Sequence, residues 1–284
     1  MEEPSQQSDE PQKIELPTKP HVLFILADDL GWHDTGYHGS EILTPNIDKL
    51  ANNGVKLENY YVQQSCSPTR TQLLTGRYQI RTGLQKGVIR PTQDSFLKKQ
   101  SGPDQIIRTV RFQTSLASKA KLKPRGIPLD EKLLPEALKQ CGYDTEMFGK
   151  WHVGMFHKDY HPQNRGFDHF LGFLTGGADF WSHKKCYGKN AADDDFGFMC
   201  GYDFREAHSG EEETIRNDLL GVYSNDILVE GLEDRLKKHD PEKPLFTYLS
   251  LQAVHAPIQA PSEYLHLYRA EFMMIHSSAV NYRR

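Results

Sequence analysis

The sequence predicts an α/β protein with a mixed, largely parallel sheet held between helices. His21-Val-Leu-Phe-Ile-Leu-Ala27 is a short apolar run of continuous rather than alternating hydrophobicity, as in a strand buried on both faces of a parallel sheet. Strand-like and helix-like segments alternate along the chain, which is the pattern of an α/β layer architecture. Four of the predicted strands lead into residues able to do chemistry: Asp28/Asp29, Cys66, Lys150/His152 and His255. Ligands of open α/β sheets bind outside the carboxyl ends of the strands, so one pocket can collect all four groups.

The elements follow in order. After the strand at 21–27, Thr44-Pro45 supplies an N-cap and a first helical residue, and that helix ends near Gly54. Residues 55–62 read as the next strand, leading to Cys66. Leu134-Pro135-Glu136 to Gln140 is a helix stopped at Gly142, and 145–148 is a short strand that delivers Lys150-Trp151-His152. A long amphipathic helix is expected from about Asp218 to Lys238, followed by the apolar strand 245–251 that delivers His255.

The chain has 284 residues, enough for one large α/β domain or two smaller ones. A net charge of −4 and an isoelectric point near 6.4 predict no general affinity for nucleic acid or anionic membranes. The mean hydropathy is −0.65 and no long apolar run occurs, so no transmembrane segment is expected. Residues 1–19 are polar, are expected to be disordered, and contain no apolar stretch resembling a signal peptide. Residues 92–125 carry eight Lys/Arg against two Asp/Glu without clear periodicity. They read as a solvated basic insertion, or alternatively as a loop attracting a sulfated polysaccharide.

Of the four cysteines, Cys186 and Cys200 flank a polar Gly/Asn/Asp-rich loop and read as a local disulfide of an oxidising compartment. Two unpaired surface thiols are the alternative. Cys66-Ser-Pro-Thr-Arg70, followed by Thr75-Gly76, reads differently. Pro68 suits a first helical position, which sets Cys66 just before a helix N-terminus, where amides and the helix dipole favour negative charge. Arg70 adds a cation one turn on, along the same face. Three residues separate Cys66 from Arg70, too few for a phosphatase-type thiolate loop. A buried structural cysteine beside a capped helix is the plain alternative.

This pentapeptide with its Thr-Gly resembles the signature of type I sulfatases. Further shared runs are Ala27-Asp-Asp-Leu-Gly-Trp32, Leu73 to Leu84, Pro128 to Leu134 and Phe148-Gly-Lys-Trp-His-Val-Gly154. Together they point toward arylsulfatase B-type enzymes, meaning N-acetylgalactosamine-4-sulfatase and the arylsulfatase I/J group. The resemblance implies an alkaline-phosphatase-like fold, here incomplete at its C-terminal end. It implies oxidation of Cys66 to formylglycine by the formylglycine-generating enzyme, with the aldehyde hydrate as nucleophile. It implies one Ca²⁺ ion held by Asp28, Asp29 and residue 66, although the later Asp-Asn pair of the family has no counterpart in this sequence.

The same resemblance makes Lys150 a contact of sulfate and formylglycine, and His152 an orienting group or proton acceptor. His255 becomes a sulfate ligand and the general acid for the leaving alcohol, with Arg70 offsetting charge on the sulfuryl group. His183 is a further candidate for the substrate mouth. The implied function is hydrolysis of sulfate from N-acetylgalactosamine 4-sulfate units of a glycosaminoglycan, or from a small sulfate ester, in a lysosomal or secreted enzyme. Residues 20–265 would be the N-terminal portion of the catalytic domain and 266–284 an unassigned tail. A non-catalytic fragment that binds sulfated glycans or a partner is the rival from another class. Phosphate-ester hydrolysis is disfavoured by cysteine at the nucleophile position.

Overall fold

The computed structural model describes residues 19–85, 89, 126–187 and 199–268. In chain order its strands are β1 (Val22–Leu26), β2 (Asp144–Lys150), β3 (His169–Phe173), β4 (Lys184–Tyr187), β5 (Met199–Tyr202), β6 (Arg205–His208), β7 (Thr214–Ile215) and β8 (Leu245–Ser250). Its helices are α1 (Pro45–Asn53), α2 (Cys66–Thr75), α3 (Gln79–Thr82), α4 (Leu134–Gln140), α5 (Ser224–Lys238) and α6 (Ser262–Leu265). Residues 1–18, the basic insertion 92–125 and the tail 269–284 lie outside the described residues.

The main sheet runs β1-β8-β2-β3-β6-β7. Its first four strands are parallel, and β6 and β7 close it antiparallel. One face packs Met147, Phe170, Phe246 and Tyr248 against Leu74 of α2 and Leu133 and Leu134 beside α4. The other face packs Phe148, Leu171, Phe173 and Leu249 against Ile227, Leu228 and Leu232 of α5. Near-continuous apolar strands are thus explained by burial on both faces at the sheet centre.

Three expectations change. The strand at 21–27 forms, but among the described residues it is an edge strand bonded only to β8. Phe24 and Leu26 face the core, whereas Leu23 and Ile25 on the opposite face are 54% and 50% exposed. Residues 55–62 do not form a strand, because nothing among the described residues pairs with them, and Val55 and Tyr61 stand in solvent. The long helix starts at Ser224 rather than near 218, after a single 3-10 turn at Asn217–Leu219. Strands β3, β6 and β7 and the β4–β5 hairpin add to the predicted set.

Candidate active site

Cys66 opens α2. Ser65 occupies the extended N-cap position, so Pro68 is the third helical residue rather than the first. Proline is tolerated there because the first four helix amides have no intrahelical acceptor. Gly76, in the left-handed conformation, closes the helix through its amide to the Gln72 carbonyl at 2.9 Å. The Cys66 thiol is half-buried, with Sγ 3.1 Å from Nδ1 of His152. Cys66 therefore arrives from a loop and a helix start, not from a strand end.

His152 follows β2 and adopts a left-handed backbone with φ 55°, a conformation uncommon outside glycine and concentrated at functional sites. Its Nε2 lies 3.0 Å from the carbonyl of Ile89. A carbonyl only accepts, so Nε2 carries the proton and Nδ1 presents its lone pair to the thiol. Burial, then the charge of Lys150, holds this imidazole well below its ordinary range and outweighs the Ile89 bond. His152 is consequently a neutral base.

Lys150 ends β2 with its side chain fully buried and ion-paired to Oδ2 of Asp28. Burial lowers the Lys150 pKa first and Arg70 second, against the pull of Asp28 and Cys66. Arg70 approaches Oδ1 of Asp28 at 3.6 Å and donates to the Lys150 carbonyl, Tyr248 and Ser250. Its Nε is buried without a hydrogen-bond partner among the described residues. Two buried cations thus share one buried carboxylate, leaving excess positive charge beside Cys66. Gly149 makes this approach possible: with φ 102°, a Cβ there would lie 2.0 Å from the Ser250 carbonyl oxygen. Ser250 then donates to the Lys150 carbonyl at 2.7 Å.

Asp29 and His255 form the rim. Backbone bonds between Asp28 and residues 253 and 254 tie the loop after β8 to the end of β1. Nε2 of His255 sits 3.8 Å from Oδ2 of Asp29, which is 64% exposed. The His255 Nδ1 donates to the Ala256 carbonyl at 2.6 Å, leaving Nε2 outward-facing. A Cβ on Gly176 would strike the His152 ring at 2.5 Å, and one on Gly177 would touch His255 at 3.3 Å. This glycine pair therefore lies against both histidines.

The structure thus brings Asp28, Cys66, Arg70, Lys150 and His152 together, with Asp29 and His255 alongside. His183 is not at this mouth: it is buried against Tyr202 and Phe204, and Nε2 lies 3.0 Å from the Leu219 carbonyl. Ser250, Tyr248, Gly176 and Gln252 were not singled out from the sequence. Gln252 clamps Ala178 through both backbone groups at 2.8 and 2.6 Å. Only Gly176-Gly177 carried a readable signal. A cavity of about 280 Å³ lined by Asp144, Glu146, Asp168, Arg235 and Lys243 opens at the other ends of the strands, away from this cluster.

The residues present suit an oxidised Cys66: its Sγ lies 3.1 Å from a neutral base, and the Lys150 ammonium feels its charge. They suit calcium in kind but not in number. Asp28 and Asp29 are hard oxygen donors, but Ca²⁺ takes six to eight oxygens, and both Asp28 oxygens face cations.

The Sulfatase family profile matches residues 20–283. Arylsulfatase J of Mus musculus is 44% identical over 253 residues, covering 89% of this chain and 35% of that protein. N-acetylgalactosamine-6-sulfatase of Homo sapiens is 31% identical, covering 88% of this chain and 42% of that protein. The crystal structure of Ps i-CgsB in complex with k-i-k-neocarrahexaose superposes with a TM-score of 0.63 at 30% identity, over 89% of this chain and 49% of that one. The chain therefore spans less than half the length of these relatives. With an alkaline-phosphatase-like sheet and a Cys66-x-Pro68-x-Arg70 helix start, the chain belongs to the sulfatase family.

Proposed function

We propose that this chain carries the nucleophile-bearing part of a sulfuric ester hydrolase acting on N-acetylgalactosamine 4-sulfate units of glycosaminoglycans. The observation that carries the reading is Cys66 at a helix start, 3.1 Å from a neutral His152, beside two buried cations that share the single carboxylate of Asp28. Residue 66, once oxidised to formylglycine by its generating enzyme and hydrated, would supply one hydroxyl oxygen as nucleophile for sulfur and a second hydroxyl whose loss of a proton expels sulfate and restores the aldehyde. His152 Nδ1 orients that hydroxyl and accepts its proton. Arg70 and Lys150, both buried, offset the charge of the sulfate oxygens. His255, beside Asp29, would give an Nε2 proton to the leaving alcohol from its doubly protonated ring, with Nδ1 still donating to the Ala256 carbonyl. Asp28 and Asp29 are the family's calcium donors, and no step here runs through the ion.

The Cys186–Cys200 disulfide supports a lysosomal or secreted location. The 4-sulfate reading rests on the arylsulfatase B/J side of the resemblance, while a 6-sulfatase is also among the relatives. A non-catalytic, glycan-binding role is the second reading, favoured by the cations already seated on Asp28.

The test uses chain co-expressed with the formylglycine-generating enzyme, held in excess over a 4-sulfated N-acetylgalactosamine oligosaccharide or its 6-sulfated isomer. Release of sulfate from the 4-sulfate alone, lost in Cys66→Ala, is the expected result. Equal release by parent and variant overturns the hydrolase reading. Tight binding of the oligosaccharide by both, with no release, supports the second reading.

A further inference from the structure

A second cluster of ionisable side chains lies on the α5 face of the sheet, remote from Cys66. Glu146 in β2 pairs in register with His169 in β3, and His169 pairs with His208 in β6. Register partners project to the same face, and Glu206 joins them two residues before His208. One ligand atom from each of His169, Glu206 and His208 lies within 4.8 Å of the other two. Lys150 lies four positions beyond Glu146 along β2, a rise of about 13 Å, so this cluster is distinct from the candidate active site.

A second observation concerns buried atoms. Glu146 Oε2 and His169 Nδ1 are both buried without a hydrogen-bond partner among the described residues, 3.9 Å apart. The other oxygen of Glu146 is held by Arg235 at 2.9 and 2.7 Å, which fixes the carboxylate. A ligating imidazole characteristically passes its second N–H to a carboxylate that fixes its tautomer. Glu146 is placed to do this for His169, directing the Nε2 lone pair toward Glu206 and His208. At present Nε2 and Glu206 Oε1 are 3.0 Å apart, a separation bridged by one proton.

We propose that His169, Glu206 and His208 form a site for a zinc-class transition metal, in which the ion replaces that proton and Glu146 acts as the positioning residue. Two imidazole nitrogens and one carboxylate select zinc, cobalt or nickel over calcium, which takes oxygen ligands. Three protein ligands leave one coordination position for water. Arg216 on Glu206 and Arg235 on Glu146 are the nearby cations. They balance the two carboxylates, so an added dication is held by the imidazoles as much as by charge. The ion would cross-link β3 to β6, where the sheet changes from parallel to antiparallel.

Titration with Co²⁺, followed by displacement with Zn²⁺, tests this. The full chain is used with Cys66→Ser and Cys141→Ser, which removes both free thiols. One equivalent of Co²⁺ should bind with visible d–d absorption, Zn²⁺ should abolish the absorption, and Ca²⁺ should not compete. His208→Ala and Glu206→Gln should each remove the absorption while circular dichroism stays unchanged. Glu146→Gln should weaken binding about tenfold or more. Absence of saturable Co²⁺ and Zn²⁺ binding would mean the cluster holds only a proton. Unaltered affinity in both His208→Ala and Glu206→Gln would place the bound ion elsewhere and overturn the assignment. Neither result depends on sulfatase turnover.

Discussion

Cys66 Sγ lies 3.1 Å from His152 Nδ1, and the opposite nitrogen of the same ring lies 3.0 Å from the Ile89 carbonyl. That arrangement fixes the tautomer and makes residue 66 a group whose proton already has an acceptor. It also predicts which cysteine is modified. When the chain is made with the formylglycine-generating enzyme in an oxidising compartment, the peptide containing residue 66 should appear at the mass of the aldehyde. Cys141, exposed and without the motif, should remain a thiol. Peptide mass spectrometry reads both, and an unconverted Cys66 removes the proposed nucleophile.

The buried histidines make stability depend on acid. Burial lowers His183 as well as His152. Below pH about 6.5 the unfolded chain binds protons at both positions that the folded chain refuses. Stability is therefore full above that pH and falls as pH drops toward the folded values, by about 1.4 kcal/mol per unit for each such group. Glu213 adds a second window. Burial opposes its ionisation, but His161 and Arg205 outweigh burial and hold it at about 2 rather than 4.5. Its contribution is present above 4.5 and lost as pH falls toward 2. Urea denaturation at stepped pH should show both declines, and His152→Asn should flatten the upper one. An unchanged slope in that variant would refute the neutral-histidine account.

Asp28 is where a single atom change should cost most. Its carboxylate faces Lys150 and Arg70, all three buried. Asp28→Asn leaves two buried cations with no anion, a change that typically costs about 3–5 kcal/mol. Lys150→Met, by contrast, removes one of the two cations and leaves Arg70 on Asp28, so it should cost less. Chemical denaturation of the two variants ranks them, and the reverse order would show that Asp28 is not the charge that holds this site together.

Local chemistry was readable in the sequence, and long-range pairing was not. Thr44-Pro45 and Gly54 marked α1 because capping is decided by neighbouring residues. Lys150 and His152 follow a short strand after the Gly142 helix stop, and His255 follows an apolar one, so all three could be placed at strand ends. Residues 55–62 misled because β-branched and aromatic side chains favour a strand only where a partner strand exists. The edge position of β1 was hidden for the same reason, since strand order depends on residues more than 200 positions away in β8. Ser250, which touches both Arg70 and Lys150, carries no local mark at all.

The Cys186–Cys200 bridge joins directly opposed residues of the β4–β5 hairpin across a separation of 14 residues. A loop of that size stabilises by on the order of 3 kcal/mol in the chain-entropy description. Replacing both cysteines by serine should lower the denaturation midpoint accordingly, without moving the Cys66–His152 contact. Non-reducing peptide mapping of secreted chain should show one linked pair. Two alkylatable thiols there would also remove the support for an oxidising location.

Steady-state sulfatase turnover by this chain on its own should be low. The two oxygens of Asp28 face Lys150 and Arg70, and Asp29 is exposed beside His255. Two carboxylates of which one is engaged do not approach the six to eight oxygens that Ca²⁺ takes, so affinity for the ion should be weak. The open face of β1, with Leu23 and Ile25 in solvent, adds a tendency to associate that competes with substrate binding. A chromogenic aryl sulfate, saturating Ca²⁺ and protein converted at residue 66 give the assay. Calcium titration by calorimetry under the same conditions separates a weak ion site from a defective nucleophile. Turnover matching a full-length sulfatase, abolished by Cys66→Ala, would show that Asp28 and Asp29 suffice. Tight calcium binding without turnover would move the deficiency from the metal site to the leaving-group side, where His255 stands.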